Sequence, residues 1–217
     1  FEDLRILKGV ILEDGKASSV SVHAGKPASD GALCRVPVEL RGARGIVHAR
    51  GIFLLGERLA EAGAPAAAPA LERFEGPARR VYRDYLFHGP DLQGIRAIEG
   101  CSAEGIVLDC DAAPAPSKWL KRPLRSRWLA DPLILDAAFQ AMIVWSFERH
   151  QAGSLPCFAA KYSQFKGAFP KEGARISIRV TKGGRHRALA DIDFLGPDGG
   201  LLARMEGYEC VIDASLN

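Results

Sequence analysis

The chain has 217 residues, 47% of them apolar and 25% charged, with a formal net charge of +3. Those proportions are ordinary for a soluble globular protein, and the length fits one large domain or two small ones sharing a core. The charge is too small to point to nucleic acid as a partner, and no run reaches the roughly 18 apolar residues that cross a bilayer. No secretory signal opens the chain. It starts at Phe1, inside what reads as a folded segment, and is expected to be a cytoplasmic piece of something longer. The five cysteines, Cys34, Cys101, Cys110, Cys157 and Cys210, are odd in number and lack zinc-ligand spacing. They read as single buried thiols in a reducing compartment, with no metal.

Early segments read as strands. "FEDLRILKGVIL" is apolar with a Gly interruption, "SSVSVHAG" alternates strictly, and "CRVPVEL" alternates with Pro37 marking an edge or bend. "GIVHARGIFLLG" carries Gly51 inside an apolar run, the mark of a bulge or a close backbone approach. Short spacing and Gly-rich turns predict an antiparallel sheet. Residues 59–77, "LAEAGAPAAAPALERFEGP", are rich in Ala and Pro and read as a stiff linker between two units, 1–58 and 78–217.

After the linker, "RVYRDYLFHGPDLQGIRAIEGC" mixes aromatic and Gly/Pro signals, and "EGIVLDCD" reads as a strand. "APAPSKWLKRPLRSRW" reads as an irregular loop. A long apolar helix follows, with Asp131 as N-cap, Pro132 in its first turn and Gly153 as its stop. "PCFAAKYSQFKGAF" and "ARISIRVTK" are further strands, and "GPDGG" inside the last apolar run predicts a hairpin. The helix is hydrophobic nearly all round, so a sheet must wrap it. The fold class is α+β, an antiparallel sheet around a central helix: the hot-dog arrangement, complete in 78–217 and incomplete in 1–58.

Within that helix, "ADPLILDAAFQAMIVW" places Asp136 and Gln140 one turn apart among Leu, Ile, Ala, Phe, Met and Trp. Asp136 either faces water near the helix start, where the macrodipole favours it, or sits in a pocket where an apolar setting favours its neutral form. Gln140 points the same way and can hydrogen-bond the Asp or a substrate hydroxyl.

"LFHGPDLQGIRAIEG", "DPLILDAAFQAMIVW" and "LPCFAAKYSQF" together resemble the C-terminal half of a polyketide-synthase-type dehydratase domain, a double hot-dog within multidomain polyketide and polyunsaturated fatty acid synthases. The strands before the linker resemble the later strands of the N-terminal hot-dog. The resemblance implies a hydro-lyase that removes water from 3-hydroxyacyl thioesters on an acyl carrier protein to give 2-enoyl thioesters. It also implies catalysis by an Asp in a D-x-x-x-Q/H motif, here Asp136 and Gln140, and by a His in H-x-x-x-G-x-x-x-x-P. His23, His48, His88, His150 and His186 all miss that second motif, which places the implied His ahead of this chain. The helix N-terminus is implied to face the thioester carbonyl.

His88, Gly89 and Pro90 stand where the family's "YGPxF" turn lies and are expected at the pocket wall. His88 either touches substrate or packs at the rim, and a role as replacement base is the remoter option. Lys118, Lys121, Arg122, Arg125 and Arg127, interleaved with Trp119 and Trp128, read as a solvated loop anchored by its tryptophans or as a docking site for an acidic carrier protein or the phosphate of its pantetheine arm. Binding of single-stranded nucleic acid is the weakest of the three readings. The expected partners are the carrier protein and neighbouring synthase domains, with no nucleic acid, membrane or cofactor beyond the substrate's own phosphopantetheine. Double hot-dogs often pair, which leaves a homodimer open. Two rival readings remain: a non-catalytic hot-dog docking or structural module, and a product-template-like hot-dog that directs polyketide cyclisation in a wider pocket.

Overall fold

The computed structural model describes residues 1–12 and 16–217. Among the described residues, five strands precede the linker: β1 Glu2–Ile6, β2 Ser21–Ala24, β3 Ala28–Asp30, β4 Leu33–Arg41 and β5 Val47–Leu55. After it come the short helix α1 Arg79–Asp84, strands β6 Ile95–Ser102 and β7 Gly105–Cys110, the single turn α2 Pro116–Trp119 and the long helix α3 Pro132–His150. Strands β8 Gly153–Gln164, β9 Ala174–Gly183, β10 Arg187–Leu195 and β11 Leu201–Asp213 close the chain. The strands form one antiparallel sheet in the order β2-β4-β5-β1-β8-β11-β10-β9-β7-β6, with β3 on β4. β1 joins the two halves: it pairs with β5 on one side and with β8 on the other, Leu4 lying opposite Ala159. The fold is a double hot-dog of the α+β class, and the strands on either side of the linker share this sheet.

α3 packs against β6, β7, β8 and β9. Among its residues only Glu148 and Arg149 are exposed, which is why its sequence has no polar face: the sheet covers one side and α1 with its turn covers much of the other. Ile134, Ala137, Ala141, Met142 and Trp145 meet Ile106, Leu108, Ile176 and Ile178 in one core cluster. The N-cap is as expected. Asp131 accepts from the backbone N–H groups of Leu133 and Ile134 at 3.0 Å each, and Pro132 takes the first helical position. The stop differs from expectation. The helix ends at His150, and Gln151 takes the left-handed cap at φ 55, its N–H bonded to the Phe147 carbonyl. Gly153 is instead the first residue of β8. Gln151 tolerates this position because its side chain also donates to the Phe147 carbonyl at 2.9 Å.

The linker is docked along its length. The Ala66 N–H donates to Asp193 at 2.8 Å, Arg204 bonds both the Ala64 carbonyl and Asp193, and the Ser102 hydroxyl donates to the Ala70 carbonyl at 2.6 Å. Arg73 bridges to Gly100 at the sheet edge. Asp193 is 3% exposed, so the arginine and the linker amide supply the partners that a buried carboxylate requires.

Candidate active site

Three segments meet around the middle of α3. Asp136 and Gln140 come from the helix, Tyr82 from α1, and His88 with Leu92 from the turn that leads into β6. The turn lies flat on the helix because Gly94 has no side chain: a Cβ there would fall 2.8 Å from the Leu133 Cγ. Gly89 differs, since a Cβ there would meet nothing within 4 Å. Gly89 and Pro90 are exposed and start a short 3-10 turn at the rim.

Gln140 is 0% exposed, and both ends of its amide are hydrogen-bonded. Its Nε2 donates to Asp136 Oδ2 at 2.6 Å and to the Leu92 carbonyl at 2.7 Å, and its Oε1 accepts from the Tyr82 hydroxyl at 2.7 Å. The Tyr82 oxygen in turn accepts from the Ile95 N–H at 2.7 Å. Burial pushes the Tyr82 phenol up to about 12, so it stays protonated and donating at neutral pH. This chain of bonds fixes one carboxylate oxygen of Asp136 from behind. The Asp136 side chain is 29% exposed, so it is open on its other side. Of the two expectations for Gln140, the bond to Asp136 is the one realised. Gln140 is completely buried, and both hydrogens of its Nε2 are committed to Asp136 and Leu92.

His88 lies on the same side of Asp136, its Nε2 3.7 Å from Asp136 Oδ2. The side chain is 9% exposed, and Nδ1 is enclosed without a hydrogen-bond partner. An enclosed polar atom left unpaired costs about 1–3 kcal/mol. Burial lowers the His88 pKa below its ordinary 6.5, with Asp136 pulling the other way, so the ring is neutral at pH 7. Phe87 stacks on it with centroids 4.5 Å apart and is itself exposed.

The five cations of the 118–127 loop are all exposed, and none makes an ion pair with another described residue. Trp128 anchors the loop through its Nε1, which donates to the Pro114 carbonyl at 2.7 Å, and its ring meets Trp119 at 5.9 Å. Asp131 also accepts from the Ala113 N–H, so the N-cap of the site helix ties down the start of the loop. A cleft of about 370 Å³ is lined by Leu120, Leu124, Trp128 and Arg122, Arg125 and Arg127. Lys118 and Lys121 lie outside that lining.

Among the described residues, no three of His, Cys, Asp and Glu converge to hold a metal ion, and no helix is long and apolar enough to cross a membrane. The cysteines are free, and burial pushes Cys101 and Cys110 up to about 12, which removes them as thiolate nucleophiles at neutral pH.

A family model described as the polyketide synthase dehydratase N-terminal domain matches residues 59–212, well over half of the chain. The chain belongs to this dehydratase family. A relative of the dehydratase chain, a polyunsaturated fatty acid synthase polypeptide of Thraustochytrium sp., is 26% identical over 192 residues. That match takes in 85% of this chain and 7% of the relative, so the chain spans a small part of that synthase. Among solved structures, the dehydratase domain from the CurF module of curacin polyketide synthase superposes with a TM-score of 0.69 at 15% identity, over 98% of this chain and 75% of that one. A trans-AT polyketide synthase dehydratase domain from Brevibacillus brevis gives 0.69 at 18% identity, over 98% and 75%. The dehydratase domain of PpsC from Mycobacterium tuberculosis gives 0.65 at 18%, over 98% and 74%. These structures share the fold of this dehydratase chain.

Tyr82 is the site residue that sequence reasoning missed. A glutamine buried in an apolar helix needs partners for its amide, and an aromatic hydroxyl in the preceding short segment was the available signal. Tyr82→Phe is expected to leave the Ile95 N–H and Gln140 Oε1 unpaired. It should lower kcat by roughly 10-fold at nearly constant KM, through the looser carboxylate. Steady-state kinetics on the folded variant checks this, and an unchanged kcat would show that the bond chain does not support the site.

Proposed function

We propose that this chain removes water from 3-hydroxyacyl thioesters presented on the phosphopantetheine arm of an acyl carrier protein, giving 2-enoyl thioesters within a larger polyketide or polyunsaturated fatty acid synthase. The observation that carries this reading is Asp136: a carboxyl group open on one side and held from behind by Gln140, which Tyr82 and Leu92 hold in turn. Elimination of a hydroxyl β to a thioester needs a base for the α-hydrogen and an acid for the leaving oxygen, and no cofactor of the enzyme's own. Asp136 is the acid. Its Oδ2 is committed to Gln140, so Oδ1 is the oxygen that gives the proton. His88, Gly89 and Pro90 form the wall beside it, with Gly89 and Pro90 at the exposed rim.

The carrier docks on the 118–127 loop. Its acidic surface meets Lys118, Lys121, Arg122, Arg125 and Arg127, and the apolar cleft under Leu124 takes an aliphatic side chain. The Asp131 clamp holds this surface in register with α3. The test compares one 3-hydroxyacyl group on two supports, a carrier protein and a short pantetheine mimic, with loss of water read by mass. Turnover of both is expected in wild-type protein that carries this chain together with the sequence ahead of it. Arg122→Glu with Arg125→Glu should lower kcat/KM about 10-fold or more for the carrier-bound substrate alone and flatten its salt dependence. Equal loss on both supports removes the docking site. A folded protein carrying this chain together with the sequence ahead of it, which binds both and dehydrates neither, is the non-catalytic module.

A further inference from the structure

We propose that the acyl site beside Asp136 is built for reduced hydrocarbon chains, with Phe139 as the specificity-determining residue that turns away chains carrying a further hydroxyl. The assignment rests on the dehydratase reading above and names its substrate class. Along α3 from Pro132 to Ser146, only Pro132, Leu135, Asp136 and Phe139 escape full burial. Their spacing puts them on one face of the helix. At about 100° per residue, Gln140 stands about 40° to one side of Asp136, and Pro132, Phe139 and Leu135 stand about 40–100° to the other. The carboxyl therefore has two flanks. One is polar: Gln140 and Tyr82 lie there, and His88 is 3.7 Å from the same carboxylate oxygen that Gln140 holds. The other is made of proline, leucine and phenylalanine.

The sheet behind the second flank is apolar as well, with one exception. Phe139 stacks on Tyr208 of β11, ring centroids 5.5 Å apart. Tyr208 lies opposite Ala190 of β10 and Ala159 of β8, and Ala159 lies opposite Leu4 of β1. Residues directly opposite each other share a face of the sheet, so this row backs the flank with small or aliphatic side chains. The exception is the Tyr208 hydroxyl. It is enclosed and has no hydrogen-bond partner among the described residues. Phe139 is half-buried and Tyr208 is 1% exposed, so the phenylalanine ring is the layer between the flank and the tyrosine.

A substrate whose β-oxygen meets Asp136 must lay the rest of its chain along one flank. The polar flank is closed by the turn that carries His88 and Leu92, so the chain lies on the apolar one. A rise of about 1.5 Å per residue sets Phe139 about 4.5 Å further along the helix, within reach of a few methylenes. Hydrocarbon gains there by leaving water. A further hydroxyl would leave water with nothing to bond, because the hydroxyl that could receive it stands behind the ring. An apolar wall of this kind rejects a hydroxylated chain by about 10- to 100-fold. The reactions that supply this site must therefore be ones that have already reduced the oxygens of earlier cycles, leaving alkyl or alkenyl chains beyond the β-carbon.

The test uses protein that carries this chain together with the sequence ahead of it, and two N-acetylcysteamine thioesters: 3-hydroxydecanoyl, and the same chain with a second hydroxyl four carbons further on. Wild-type kcat/KM is expected to favour the first by about 10- to 100-fold. Phe139→Ala opens the Tyr208 hydroxyl to the flank and should cut that preference to about 3-fold or less. Phe139→Val serves if the alanine variant does not fold. Phe139→Leu keeps the flank apolar and should retain the preference. Phe139→Ala combined with Tyr208→Phe should regain most of it, which a merely loosened fold would not do. A wild-type preference under about 3-fold, or one that Phe139→Ala leaves unchanged, overturns the assignment. If neither thioester loses water, the dehydratase reading fails on its own. Calorimetric binding of the two then reads the preference: a Kd ratio of about 10 or more keeps the apolar site, and a smaller ratio removes it.

Discussion

Asp136→Asn is expected to lower the rate of dehydration by about 100-fold or more while leaving the fold and the binding of thioester nearly unchanged. Asparagine has the shape of aspartate, and its carbonyl oxygen can still accept from Gln140 Nε2, which lies 2.6 Å from the native carboxylate. What it lacks is an acidic proton to give to the leaving hydroxyl. The loss should therefore fall on kcat, with KM shifting only a few-fold, because the interaction removed develops as the carbon–oxygen bond breaks. The measurement is the initial rate of enoyl thioester formation, with a thermal melt alongside to confirm an intact fold. Unchanged turnover in a folded variant would take the acid role away from Asp136.

Trp145→Ala should be the most damaging single change to stability among the core positions of α3. Trp145 is 2% exposed, its Nε1 donates to the Ser102 carbonyl at 2.9 Å, and its ring edge meets His150 at 5.4 Å. Truncation removes the largest buried side chain of the helix and leaves a strand carbonyl without its donor. Such changes cost about 3–5 kcal/mol, a large part of the 5–15 kcal/mol or so that holds a domain together. In a chain of this size that corresponds to a fall in Tm of roughly 10 °C. Calorimetry is the check, and Trp145→Phe separates the two causes: it keeps most of the volume and loses the bond, so its cost should be about 1–2 kcal/mol. A shift under about 2 °C for the alanine variant would mean that α3 is not held by this anchor.

How much of this was legible beforehand varied by element. The site helix was the clearest, because a carboxylate amid apolar residues, a capping Asp131 and a Pro132 are local signals. The "GPDGG" turn between β10 and β11 was equally local. β6 escaped notice because two register shifts, at Ile95/Ala97 and at Ile98/Gly100, break the alternation that marks a strand. α1 has six residues, too few for a helical period to show. The linker was readable as composition, but nothing local reveals that Asp193 and Arg204 pin it down. The site itself divides the same way. Asp136 and Gln140 are one turn apart and were found together. Tyr82 is 58 residues from Gln140, and His88 is 48 residues from Asp136. Their meeting depends on Gly94 laying the turn against α3, which only the packed structure reveals.

The seam between β1 and β8 also sets a timetable for synthesis. Some 147 residues separate Ile6 from Gly153, so β1 leaves the ribosome long before its second neighbour exists. At roughly 5–20 residues per second that delay is about 7–30 s. During it β1 can pair with β5, yet its other edge stays open, a free template for any passing strand. The exposed Arg5 at that edge later lies over the Phe158 ring, and a charge on a waiting edge is one of the means by which sheets resist premature pairing. The chain therefore closes its sheet late, from the middle, once the α3 unit has been made.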